Sequence, residues 1–528
     1  MPVRVRFPFA TEGGCMAQPI SIHWLRRVCF SLALLMLAGL AGPVAHADES
    51  RQIRSGDFIV EIDVRAQTNL IHHLDCLSGQ ATCTKELFEE LWRKRLGLDD
   101  GDKAALEAWR KLREQAQIDS GSDLVETVSS PVPLTAGSGS TWTKIRHAGY
   151  LAPSRDTLKK AWRPLVSDES LRAHLEILER FRPRFLSWWR DSQRSAKMLI
   201  PQIEAAMRKA RGPELLRQAS RFLGAELGER RVFVHLIVQP VSQSRRSRAE
   251  IVDGHMVVEV KPGEEATDRV PVIIHELAHH VWARVPVSRK AMVATEMLRA
   301  GRDGVAAWNL FDEVQATVIG NMLASRNAVA AARYKAMLDR PMAFYADEAI
   351  DAGARASFGL FEAALAGDGV MDGAFVQAFV AALRRDLRAM FDTPMLLLRN
   401  VAVNIDEPAS GWIDGLAMGV RAWGLWTYAP LGDEGFTQAL ERFPAMSAAV
   451  FVREDQLEKL VPVTRVLGAS VEALRGALGT SRGVAVIADR TPYAIAVIFL
   501  VRDPAVMDKL TAAVASCPLK SGVCARVP

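Results

Sequence analysis

The segment Val272-Ile-Ile-His-Glu-Leu-Ala-His-His-Val-Trp282 places His275 and His279 four positions apart, with Glu276 beside the first. On a helix, positions i and i+4 share one face, so the two imidazoles can reach a single ion. A zinc-class cation suits such a pair because it lowers the pKa of water. Glu276, one step round the helix, then stands where a carboxylate can take the proton from the attacking water. The chemistry this spacing points to is hydrolysis. His280 falls off the ligand face and is read as solvated or as support for the ligands.

An open catalytic zinc site takes three protein ligands, so a third is needed downstream. The candidates are Glu296, in Ala-Thr-Glu-Met-Leu, and Asp312 and Glu313, in Trp308-Asn-Leu-Phe-Asp-Glu-Val-Gln-Ala-Thr-Val-Ile-Gly-Asn321. Glu313 is preferred. Ala316, Thr317 and Gly320 are small residues on its face, and they let its helix approach the histidine helix. Glu296 precedes Met297 and Leu298 and reads as an ordinary amphipathic position. Asp312 is alternatively an orienter of a ligand histidine through the second ring nitrogen. Amide hydrolysis also needs a donor for the developing oxyanion. Of the tyrosines after the motif (Tyr334, Tyr345, Tyr428 and Tyr493), Tyr345 and Tyr428 are the preferred candidates.

The H-E-x-x-H motif followed by Glu313-Val-Gln-Ala316 resembles the gluzincin class of zincin metallopeptidases, over roughly residues 230–325. The resemblance implies Zn2+ on His275, His279 and Glu313, Glu276 as the catalytic base, and a peptide or protein substrate. The sequence departs from that class in the long gap between ligands; Glu296 stands nearer the customary spacing. It also lacks the Gly-x-Met-Glu-Asn segment of exopeptidases, so an aminopeptidase assignment has no support. The metzincin arrangement would need glycine at 282 and histidine at 285, where Trp282 and Val285 stand. No P-loop, Gly-x-Ser-x-Gly elbow or dinucleotide fingerprint competes. Two other readings remain open: a zinc hydrolase of a non-peptide amide such as a cell-wall component, and an inactive periplasmic binding or scaffold protein with a vestigial site.

The elements that must position these residues follow from periodicity. Asp57–Val64 and Arg231–Gln239 read as strands, and Ala249–Val260 as a hairpin turning at Asp253-Gly254, a type I′ signal. A helix carrying the motif is expected from near Pro271 to before Pro286. Residues 85–117 and 155–226 are helical in pattern, with Trp188-Trp189 as packing residues. Residues 128–141 read as a linker. Residues 288–480 are mostly helical, and strands at 483–489 and 494–501 pair near the end. The expected fold is α+β and predominantly helical, with a zincin-like core of a small mixed or antiparallel sheet and an active-site helix. The expected divisions are residues 48–228, 229–345 and 346–528.

Length and composition set the frame. At 528 residues the chain is long for a single core, and 49% hydrophobic with 24% charged residues is the balance of a folded protein. Arg26-Arg27, the apolar run Val28–Leu40 and Ala45-His46-Ala47 have the order of an export signal, with Met16 where such a signal would start. Residues 1–47 carry four cations and one anion, so the net charge falls from +5 to +2 without them. Nothing then calls for a nucleic-acid partner, and Arg245, Arg246 and Arg248 read as a solvated loop. The expectation is a periplasmic or secreted protein with no membrane span after signal cleavage. Cys76 and Cys83, and Cys517 and Cys524, form two close pairs that suit local disulfides in an oxidising compartment.

Overall fold

Alternating β-branched residues in Phe58–Val64 (β2) and Arg231–Val238 (β3) build the centre of a five-stranded sheet. The computed structural model describes residues 49–528 except 56–57, 80–82, 119–129, 135–140, 228–230, 242–247, 405–408, 421–423, 429 and 432–433. The expected export signal, most of the expected linker and the basic cluster apart from Arg248 lie outside the described residues. The sheet order is β1-β2-β3-β5-β4, where β1 is Glu49–Ser55, β4 Ala249–Val252 and β5 His255–Val260. β2, β3 and β5 run parallel, and the outer strands β1 and β4 are antiparallel to their neighbours. The boundary expected near 228 therefore falls within one sheet, and residues 48–528 form one compact unit.

Register gives this sheet one apolar and one polar face. Val60, Ile62, Val232, Val234, Leu236, Met256 and Val258 share the first, all buried. Asp63, His235, His255 and Glu259 share the second, where burial demands hydrogen bonds. His235 meets them with both ring nitrogens, at 2.8 Å from Asp63 Oδ1 and 3.0 Å from His255 Nδ1. Helix α1 (Ala66–Leu77) docks here through Asn69, which donates to Leu236 O at 3.0 Å and accepts from Val238 N at 2.8 Å. The hairpin turns as its dipeptide requires: Asp253 and Gly254 both have positive φ, 46° and 80°.

Five further helices matter to the site. α2 (Asp168–Lys209) is 42 residues long, capped by Ser167, whose Oγ accepts from Ser170 N at 3.1 Å. It packs against β1, β2 and β3. α3 (Ala266–Ala283) carries the H-E-x-x-H motif and packs against β4, α2 and α4 (Arg302–Ala316). α3 begins five residues before Pro271, the expected start, so the proline sits inside the helix and gives no N–H to its ladder. α4 continues into a π-helical turn, Thr317–Ala324, and α5 (Glu348–Ala366) and α6 (Gly373–Asp386) follow.

The C-terminal residues were expected to be mostly helical with one strand pair. They instead hold a six-stranded mixed sheet, order β11-β9-β10-β8-β6-β7. The expected pair is β9 (Gly483–Asp489) and β10 (Ile495–Val501), antiparallel. β6 (Asn400–Asn404), β7 (Gly424–Tyr428), β8 (Ser447–Arg453) and β11 (Gly522–Val527) are additional. The short run of β6 and the alanine-rich run of β8 suit helix or strand equally, and only pairing with neighbours decides them. The protein is thus mainly helical with two mixed sheets, an α+β fold. No described helix is long and apolar enough to cross a membrane.

Candidate metal centre

Along α3, Val270, Ile273, Ile274, Leu277, Ala278 and Val281 are buried, and a partly buried stripe runs through Val272, Glu276 and His279. That division explains the helix: its apolar sides pack, and its remaining side presents the motif. His275 is only 5% exposed. Its Nε2 lies 3.1 Å from His279 Nε2, and Glu313 Oε2 is 3.5 Å from each. Ligands held ~2.0–2.2 Å from one tetrahedral zinc stand roughly 3.3–3.6 Å apart, so these three atoms are close to one face of such a tetrahedron. Glu313 Oε2 is also buried without a hydrogen-bond partner. A buried carboxylate oxygen left open between two imidazole nitrogens fits a cation, and the three residues are a group that could hold a metal ion.

Close approach of the two helices makes this possible. A side-chain carbon added at Gly320, in the π-helical turn after α4, would overlap the backbone of His275. π-helical turns recur at functional sites because they re-aim side chains within a helix. Both histidines are oriented through their second nitrogens. Asp312 Oδ1 is 2.8 Å from His279 Nδ1 and also accepts from Gln315 Nε2 at 3.2 Å. Asn321 Nδ2 lies 3.5 Å from His275 Nδ1 and donates to Phe344 O at 2.8 Å. Outer partners of this kind set ring orientation and basicity.

The charges are arranged asymmetrically. Burial raises the Glu276 carboxyl above the ordinary range, against the pull of His279 and His275. Burial also opposes ionisation of Glu313, but the two imidazoles outweigh it and hold that carboxyl well below the usual carboxylate range. The two carboxyls are thus pushed in opposite directions. Tyr345 tilts against His275, with ring centroids 5.6 Å apart. Burial first, then the charge of Glu313, keeps its hydroxyl protonated far above the normal phenol range. The backbone around it is pinned by Asp351, which accepts from Phe344 N at 2.9 Å and Tyr345 N at 3.3 Å.

His275, Glu276, His279, Glu313, Asp312 and Tyr345 therefore meet. Glu296 does not join them: it bonds Arg299 at 2.9 Å and faces Gly373 and Gln377 of α6. Tyr428 lies on β7, an outer strand of the second sheet, and its side chain is outside the described residues. His280 is buried, not solvated, and burial pushes its pKa down to about 4. Asn321 and Asp351 carried no sequence signal, because their partners are backbone groups and a ring that folding brings to them. Comparison of the chain with protein-family models, curated proteins and solved structures finds no match.

Proposed function

We propose that the chain is an exported zinc metallopeptidase of the zincin type, cleaving peptide bonds in an extended substrate. The observation that carries this reading is the face formed by His275 Nε2, His279 Nε2 and Glu313 Oε2, with Glu276 one residue along the same helix. Bound there, zinc would polarise the scissile carbonyl and acidify water. Glu276 takes the proton of the attacking water and passes it to the leaving amine. Tyr345 O–H donates to the carbonyl oxygen as charge develops. Asp312 keeps His279 aimed with Nε2 toward the site.

The sheet supports a peptide rather than a smaller amide as substrate. β4 is an outer strand antiparallel to β5, packed on α3, and among the described residues its far edge pairs with no strand. An extended peptide can add to such an edge through main-chain hydrogen bonds. The ion pair of Arg284 with Asp253, 2.6 Å, ties the hairpin turn to the end of α3. Export rests on the sequence of residues 1–47 and on two cysteine pairs at disulfide distance, Cα–Cα 6.0 and 5.7 Å.

Glu276→Gln tests the reading. The variant keeps one zinc and its thermal stability, while hydrolysis of an unstructured protein falls by about 10²–10⁴-fold. Full activity in that variant contradicts it. Cleavage of soluble peptidoglycan fragments in preference to unstructured protein would move the substrate to a non-peptide amide.

A further inference from the structure

A second convergence of metal-type donors lies between α1 and β5. His72 and Cys76 are i and i+4 on α1, 1% and 0% exposed, and face Glu259 of β5, also 1% exposed. One ligand atom from each lies within 4.8 Å of the other two, with His72 Nε2 and Glu259 Oε1 3.5 Å apart. Cys83 stands at disulfide distance from Cys76 and is the more exposed of the two. Glu259 accepts from Thr84 N at 3.0 Å, Thr84 Oγ1 at 2.9 Å, Gln239 Nε2 at 2.8 Å and Arg248 N at 3.3 Å. Among the described residues no lysine or arginine side chain pairs with it, and His72 is its one ionisable neighbour at ion-pair distance. Among the described residues this buried carboxylate thus has neutral donors and one titratable imidazole but no permanent cation, the partner that usually accompanies a buried charge.

We propose that the Cys76–Cys83 pair has two states: a disulfide and, when reduced, two thiolate ligands that hold a zinc-class ion together with His72 and Glu259. Reduction begins at the more exposed sulfur. A dithiol's thiolate attacks Cys83 Sγ, the S–S bond breaks, and Cys76 leaves as thiolate. The dithiol's second sulfur then displaces Cys83, so the dithiol is oxidised to its disulfide and the protein gains two electrons and two protons. Binding of a divalent cation releases both protons, because the thiolates are the ligands. Two thiolates, one carboxylate and a doubly positive ion carry one net negative charge, the same as the disulfide with Glu259 alone. The donors around Glu259 thus serve both states. His72, Cys76 and Glu259 already converge, and Cys83, once freed from Cys76, would supply the fourth position of a closed structural site.

The test uses the full chain with Cys15→Ser, Cys29→Ser, Cys517→Ser and Cys524→Ser, leaving this pair as the only cysteines, and Co2+ as the probe. The oxidised protein takes up cobalt without a thiolate-to-cobalt charge-transfer band. After reduction and removal of the reductant it takes up one further equivalent, and the band appears. His72→Ala and Glu259→Gln each weaken the second equivalent by at least about tenfold, as loss of a ligand should. Because the His275 site contains no sulfur, the band reports on this site alone, whether or not the peptidase reading stands. A reduced wild-type pair that binds no additional cobalt or gives no sulfur band overturns the proposal. So does a band whose cobalt affinity is unchanged in both variants.

Discussion

Two helices in this chain each offer a donor pair one turn apart, and each pair meets a carboxylate from a distant element. At His275 and His279 the carboxylate oxygen of Glu313 is open between the rings, and Glu276 stands on a partly buried stripe beside them. At His72 and Cys76 the carboxylate of Glu259 is enclosed by four neutral donors, and every member is sealed. The first arrangement is partly exposed and has a second carboxylate beside it, as the proposed hydrolysis would need; the second is closed on every side, as a purely structural site would be. Under the two proposals, similar donor spacing would serve different ends, according to which side of the cluster stays open and what stands there.

Each half of that contrast can be broken separately. The largest effect is expected for Glu313→Ala, which removes the third ligand: stoichiometric zinc and all hydrolysis are lost, as read by metal analysis and peptide cleavage, while the protein stays folded. Tyr345→Phe keeps zinc and lowers kcat by about 10²-fold, the effect of one oxyanion donor. A loss of zinc instead would make Tyr345 a structural support. Asp312→Ala, which frees His279 Nδ1 from its 2.8 Å partner, weakens zinc by about 10–100-fold in competition with a chelator.

The smallest effect lies outside both clusters. Asp102 accepts from Arg184 at 2.7 and 2.8 Å and from Arg180 at 2.7 Å, and these bonds, Arg184's foremost, hold its pKa down to about 2. A depressed carboxyl stabilises the fold fully above the unfolded value of about 3.9 and loses that contribution as pH falls toward 2. Asp102→Asn therefore flattens the acid side of the stability profile between pH 4 and 2, measured by chemical unfolding. An unchanged slope there would remove Asp102 from the account.

Much of the first cluster was legible in sequence. The i,i+4 histidines, the glutamate between them and the small residues after Glu313 are local patterns. So is the hairpin, whose Asp253-Gly254 admits the positive φ a tight turn needs. The second cluster was hidden, because His72 and Glu259 are 187 residues apart and come together only through the docking of α1 on β3 and the pairing of β3 with β5. β1 and β6–β8 were missed for a related reason: a short apolar run becomes a strand only when a neighbour pairs with it. Asp351 and Asn321 likewise act through backbone groups, which sequence spelling does not display.

The central claim is that one zinc sits against His275, His279 and Glu313 beside Glu276. Diffraction from zinc-loaded crystals at the zinc absorption edge tests it most directly. The account predicts an anomalous peak with both Nε2 atoms at about 2.0–2.1 Å and a Glu313 oxygen at about 2.0–2.2 Å. A peak that leaves Glu313 outside the coordination sphere, or no peak between the two histidines, would contradict it.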